Sequence, residues 1–129
     1  MKEMVYSTTR NIEVLDRGTY KGYDYAVLSL GTHPCGYVRV PEDHPYYEND
    51  YDNCDIYCHG GLTYGNPYLR TSCNTQENGW WIGWDYAHCN DYCAYITCDC
   101  GVKHTTKEIQ QECFNVIEQL IEIKSKNYT

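Results

Sequence analysis

Ile109, Cys113, Val116, Leu120 and Ile123 recur at alternating steps of four and three. That spacing commits the C-terminal part of the chain to a helix with one apolar stripe. Thr105 and Glu108 form a T-x-x-E capping box at its start, and Lys124 and Lys126 stand where the helix dipole favours cations. The expected helix runs over about residues 105–125. A single apolar stripe has to be buried against another layer, so the remaining residues must supply one.

They do so with strand formers. Tyr23-Asp24-Tyr25-Ala26-Val27-Leu28-Ser29-Leu30 and Cys35-Gly36-Tyr37-Val38-Arg39-Val40 read as two strands joined by a short turn. Asp55-Ile56-Tyr57-Cys58-His59 reads as a third strand. Trp80-Trp81-Ile82-Gly83-Trp84-Asp85 reads as a buried central one, because aromatic and branched residues occupy both faces. Ile12-Glu13-Val14-Leu15 is a short candidate strand, and residues 65–79, with Pro67 and Asn, Thr, Ser and Gly punctuation, read as a loop. The expected fold is α+β: a small antiparallel or mixed β-sheet with one long C-terminal amphipathic helix packed on it. With 129 residues the chain suits a single domain, 1–129, β-rich over 10–100.

The formal charge of −8 disfavours a duplex nucleic-acid partner, which calls for a basic stripe. Between Gly22 and Val102 the only permanent cations are Arg39 and Arg70. An anionic ligand held there must use those arginines, histidines, backbone amides or a metal. No stretch approaches the roughly 20 apolar residues of a membrane span, and the first ten residues carry no apolar leader, so a cytoplasmic setting without a membrane partner is expected. In that setting the nine cysteines are expected to be mostly free thiols. Cys54/Cys58, Cys89/Cys93 and Cys98/Cys100 suggest zinc, but none has C-x-x-C spacing, and cysteine also serves as a small buried hydrophobe. The Asp50-Tyr51-Asp52-Asn53-Cys54-Asp55 run lacks the glycine and glutamate of a calcium loop.

Two motifs carry candidate chemistry. Asp85-Tyr86-Ala87-His88-Cys89-Asn90-Asp91 spaces Asp85, His88 and Asp91 three apart, so that on a helical turn they can share a ligand or metal. The bland alternative is that Asp85 caps a turn and His88 satisfies a carbonyl. His59-Gly60-Gly61-Leu62-Thr63-Tyr64 pairs consecutive glycines, which can expose amides to an anion, with side-chain donors at His59 and Thr63; a Gly-Gly pair also commonly marks only a turn. Fifteen tyrosines against one phenylalanine suit both half-exposed strand positions and base-stacking walls.

These residues give the chain a family resemblance. From about Cys35 to Asp91 it resembles a family of short proteins of tailed bacteriophages and prophages. The likeness lies in Cys35-Gly36-Tyr37-Val38-Arg39-Val40-Pro41-Glu42-Asp43-His44-Pro45, Asp50-Tyr51-Asp52, His59-Gly60-Gly61-Leu62-Thr63-Tyr64 and Trp80 through Asp91. Where that family usually reads G-F-D-C-A-H, this chain has Trp84 and Tyr86, with Asp85 and His88 in place. The resemblance implies a genetic setting, the cytoplasm of an infected bacterial cell, in which small and often homo-oligomeric phage proteins capture nucleotide immune signals and others cleave them. The leading expectation is non-catalytic sequestration of an ADP-ribose-type or cyclic nucleotide without a cofactor. Its ligand-binding set is Arg39, His44, His59, Gly60, Gly61, Thr63, Tyr64, Trp84, Asp85, His88 and Asp91. The alternatives are a phosphodiesterase with a divalent metal at His59, Asp85, His88 and Asp91, His44 assisting, and a structural or protein-binding accessory protein.

Overall fold

Tyr23, Tyr25 and Val27 point to one side of their strand and Ala26 and Leu28 to the other, and all five are buried. A strand apolar on both faces needs cover on both, and the computed structural model, which describes residues 12–30, 33–72, 75–86 and 105–126, provides it. The five strands are β1 (Glu13–Tyr20), β2 (Tyr23–Ser29), β3 (Pro34–Val40), β4 (Tyr64–Ser72) and β5 (Thr75–Asp85), and one helix follows, α1 (Thr106–Lys126). All neighbouring pairs are antiparallel, in the order β1-β2-β3-β5-β4. The fold is therefore α+β, with the C-terminal helix packed on a wholly antiparallel sheet.

The sheet is strongly curled. In a flat sheet the edge strands β1 and β4 would stand about 19 Å apart, four strand spacings, whereas some of their Cα atoms come within 8 Å of each other. On the concave side Arg17 of β1 grips Glu77 of β5 with both guanidinium nitrogens, Nη2 lying 2.7 Å from Oε1. The result is an open barrel. Its interior holds Ala26, Leu28, Cys35, Tyr37, Leu69 and Trp81. Its outer face carries Val38, Val40, Trp80, Ile82, Trp84 and Tyr86 against Ile109, Cys113, Val116, Ile117 and Leu120 of α1.

Two adjacent cross-strand pairs set how closely β3 and β5 pack. Gly36 faces Trp84 and Tyr37 faces Gly83, so each glycine leaves room for the ring opposite. A Cβ on Gly36 would lie 2.5 Å from Trp84 Cζ2, and one on Gly83 would overlap the Tyr37 ring inside the barrel. The helix begins with the reciprocal capping box: Glu108 N–H donates to Thr105 Oγ1 at 3.1 Å, and Thr105 N–H donates to Glu108 Oε1 at 2.9 Å.

Two segments differ from the sequence-based expectation. Residues 55–59 are not a strand of the sheet. Gln119 of α1 takes the place of a neighbouring strand, accepting from Tyr57 N–H at 2.8 Å and donating to Tyr57 O at 2.7 Å, while Glu112 accepts from His59 N–H at 2.9 Å. Residues 65–72 and 75–79 are not loop but strand, parts of the paired β4 and β5. Pro67 is tolerated because β4 is an edge strand and the register shifts between Asn66 and Tyr68.

Cys35, Cys54, Cys58 and Cys113 are free thiols. Burial pushes Cys35 and Cys58 up to about 12 and Cys54 to about 11, and raises Cys113 as well, so all four stay protonated near neutrality. Among the described residues no helix is long and apolar enough to cross a membrane.

Candidate functional site

The curled sheet has two mouths, and each holds a cavity. Residues 35, 37 and 39 of β3 and 81, 83 and 85 of β5 face the interior, with Arg39 opposite Trp81 and Cys35 opposite Asp85. Arg39 and Asp85 thus share a face but stand four residues apart along the ladder, roughly 13 Å. Tyr37 and Trp81 fill the space between them.

The mouth at Arg39 is the larger, a cleft of about 500 Å³ lined by Gly22, Asp24, Arg39, Val40, Pro41, Glu42, Tyr47, Asn78 and Gly79. Arg39 can lie against the backbone of Gly79 because residue 79 has no side chain; a Cβ there would collide with the guanidinium. Asp24 holds Arg39 at 3.5 Å, with both side chains nearly half exposed, and Asp24 also accepts from Thr19 Oγ1 at 2.9 Å. So long a pair in water contributes little and leaves guanidinium donors facing the cleft. Tyr47 offers a half-buried ring and Asn78 a carboxamide.

The opposite mouth encloses about 200 Å³ between Leu30, His33, Cys35, Tyr37, Thr63, Tyr64, Trp84 and Asp85. Here the glycine motif meets the end of β5: Thr63 Oγ1 donates to Asp85 Oδ2 at 3.0 Å, and Thr63 N–H donates to Gly83 O at 2.9 Å. The glycines make a turn rather than a wall of this cavity. Gly61 N–H bonds Cys58 O at 3.0 Å, with Gly60 at φ +68, a left-handed value that L side chains seldom adopt. Tyr64 spends its hydroxyl on Tyr68 O at 2.5 Å and meets Tyr37 edge-on at 5.2 Å.

The remaining motif residues lie elsewhere. His59 stacks on Tyr86 at 4.4 Å, on the side covered by the helix. Trp84 reaches the lining of the smaller cavity, but its indole is buried on the helix side, Nε1–H donating to Tyr86 Oη at 3.1 Å. His44, 3% exposed, is a structural bolt: Nδ1 accepts from Tyr46 N–H at 2.9 Å, which leaves the proton on Nε2, 2.7 Å from Leu120 O. Burial holds its pKa below the ordinary imidazole value, with the Leu120 carbonyl opposing the shift in part. His88 and Asp91 lie outside the described residues.

Of the sequence-based set, Thr63, Tyr64, Trp84 and Asp85 line one cavity, Arg39 lines the other, and His44 lines neither. Among the described residues no three of His, Cys, Asp and Glu gather closely enough to hold a metal ion, so His44, His59 and Asp85 do not form such a group. Sequence reasoning did not group Asp24, Glu42, Tyr47, Asn78 and Gly79 around Arg39. The available signal was strand alternation: β2 and β3 place Asp24 and Arg39 on one face. Comparison with known protein families, curated proteins and solved structures finds no match for this chain.

Proposed function

We propose that this protein is a non-catalytic binding protein that sequesters a nucleotide-derived signal, with the Arg39 cleft as its binding site. One observation carries the reading: Arg39, one of two permanent cations between Gly22 and Val102, lines the larger cavity. A volume of about 500 Å³ is in the range of small-molecule sites, whereas the cavity at Thr63 and Asp85, about 200 Å³, is below it. The cleft offers each part of a nucleotide a complementary group. Arg39 donates to phosphate, Asp24 and Glu42 accept from ribose hydroxyls, Tyr47 offers a stacking face and Asn78 hydrogen-bonds a base edge.

Binding rather than turnover is favoured by two of the described reactive groups, His44 and Cys35. Both ring nitrogens of His44 are engaged within the fold, and the Cys35 thiol is held protonated by burial. The likeness to tailed-phage proteins adds a setting in which capture of an immune signal inhibits host defence.

Calorimetric titration with cyclic mononucleotides, cyclic dinucleotides and ADP-ribose tests the proposal. At least one should bind stoichiometrically and be recovered intact. Arg39→Met should weaken it by about 1.5–3 kcal/mol, the range for a hydrogen bond to a charged group, without lowering the melting temperature. Absence of binding across the panel, or equal affinity in the variant, rejects it.

A further inference from the structure

The charges around Arg39 restrict which nucleotide the cleft accepts. Among the described residues Arg39 is the only cationic one lining it, against two carboxylates, Asp24 and Glu42. Asp24 is already the partner of Arg39. Glu42 is exposed at the rim with no ion pair among the described residues, so the lining carries one net negative charge. The nearby Arg17 adds little positive potential, because its charged guanidinium is paired at two points with the Glu77 carboxylate.

Building on the reading of the cleft as a nucleotide site, we infer that it selects by charge. It accepts a phosphodiester carrying a single negative charge, as in a cyclic mononucleotide, and disfavours a pyrophosphate or a terminal phosphate. One phosphodiester can face the exposed edge of Arg39 while the ligand's hydroxyl and amino groups donate to Asp24 and Glu42. Two adjacent phosphate charges would need a second cation, and the lining offers a carboxylate there instead. In a partly enclosed cleft like charges repel more strongly than in bulk water. The carboxylates thus have two roles: they accept hydrogen bonds from the ligand and reject excess negative charge.

Three probes share adenine and differ in phosphate charge: 3′,5′-cyclic AMP with one, AMP with nearly two at neutral pH, and ADP-ribose with two adjacent ones. Titrated at fixed ionic strength, cyclic AMP should bind about tenfold tighter than either of the others, equivalent to about 1.4 kcal/mol. Glu42→Gln should reduce that preference at least about threefold, chiefly by improving ADP-ribose. If ADP-ribose or AMP binds as tightly as cyclic AMP, or if Glu42→Gln and Asp24→Asn both leave the preference unchanged, charge selection is wrong while the nucleotide site stands. If none of the three binds and cyclic dinucleotides do not bind either, the site assignment fails and this inference with it.

Discussion

His44 donates from Nε2 to the carbonyl oxygen of Leu120 at 2.7 Å, fastening the loop that follows β3 to the last turns of α1. The same loop carries Pro41, Glu42 and Tyr47 into the Arg39 cleft, so one buried imidazole holds both the helix and a wall of the candidate site. His44→Ala should destabilise the fold by about 2 kcal/mol, since it strips a buried carbonyl and the Tyr46 amide of a partner. Urea unfolding at neutral pH measures this.

The same residue sets an acid limit. Burial lowers the folded-state pKa of His44, against an unfolded value of about 6.5. Below that value the unfolded chain takes up the proton more readily than the folded one. The His44 contribution is therefore intact above about pH 6.5 and falls as pH drops, until the folded pKa is passed. Asp43 and Lys124, paired at 2.6 Å beside it, keep their charges through that window, since Lys124 holds the Asp43 carboxyl below its usual range. Unfolding at pH 7 and pH 5.5 should show lower stability at acid pH in the wild type and a smaller drop in His44→Gln.

Leu120 is wholly buried in the stripe that meets the outer face of the barrel. Leu120→Ala should cost about 2–5 kcal/mol by denaturant titration. A loss below about 0.5 kcal/mol is the behaviour of an exposed position and contradicts this packing.

Gly83→Ala drives a methyl into the Tyr37 ring and toward the Gly36 carbonyl inside the barrel. A loss of roughly 1–3 kcal/mol is expected. Gly22→Ala adds a methyl where no atom lies within 4 Å and serves as the contrast, any loss there coming from the backbone at φ +87. Thermal unfolding of both variants separates crowding from backbone strain.

Gln119 holds the backbone of Tyr57, a residue 81% exposed, so this position is fixed by its main chain and not by its side chain. Gln119→Ala should raise amide exchange at Tyr57 well above that of the Trp81 amide in β5, while Tyr57→Ala should leave stability nearly unchanged.

The elements legible in the sequence were those whose signal is local. The helix was marked by its stripe and capping box, β2 and β3 by strand formers around a turn, and β5 by aromatic residues on both faces. Long-range relations were not. Nothing near Gln119 says that its carboxamide will replace a strand beside Tyr57, which diverted residues 55–59 from the sheet. Pro67 argued for a loop because the edge position of β4 emerges only from the strand order. For the site, Thr63 and Asp85 are joined by a hydrogen bond, yet their cavity is the smaller one. Arg39 stood out because cations are scarce, but its neighbours Asn78 and Gly79 come from a distant strand whose pairing with β3 the sequence does not state.

The strand order has a consequence for synthesis. Because β5 sits between β3 and β4, the inner strand β3 has one neighbour, β2, until residues 80–85 have left the ribosome. Through that interval the backbone of Gly36, Val38 and Val40, which faces β5 in the finished sheet, presents an open edge beside exposed tyrosine and valine side chains, a template for pairing with another nascent chain. Chains ending between Val40 and Trp80 will therefore depend on holding factors to stay in solution, and translation slowed before Trp80 will lengthen the time for which that edge is open.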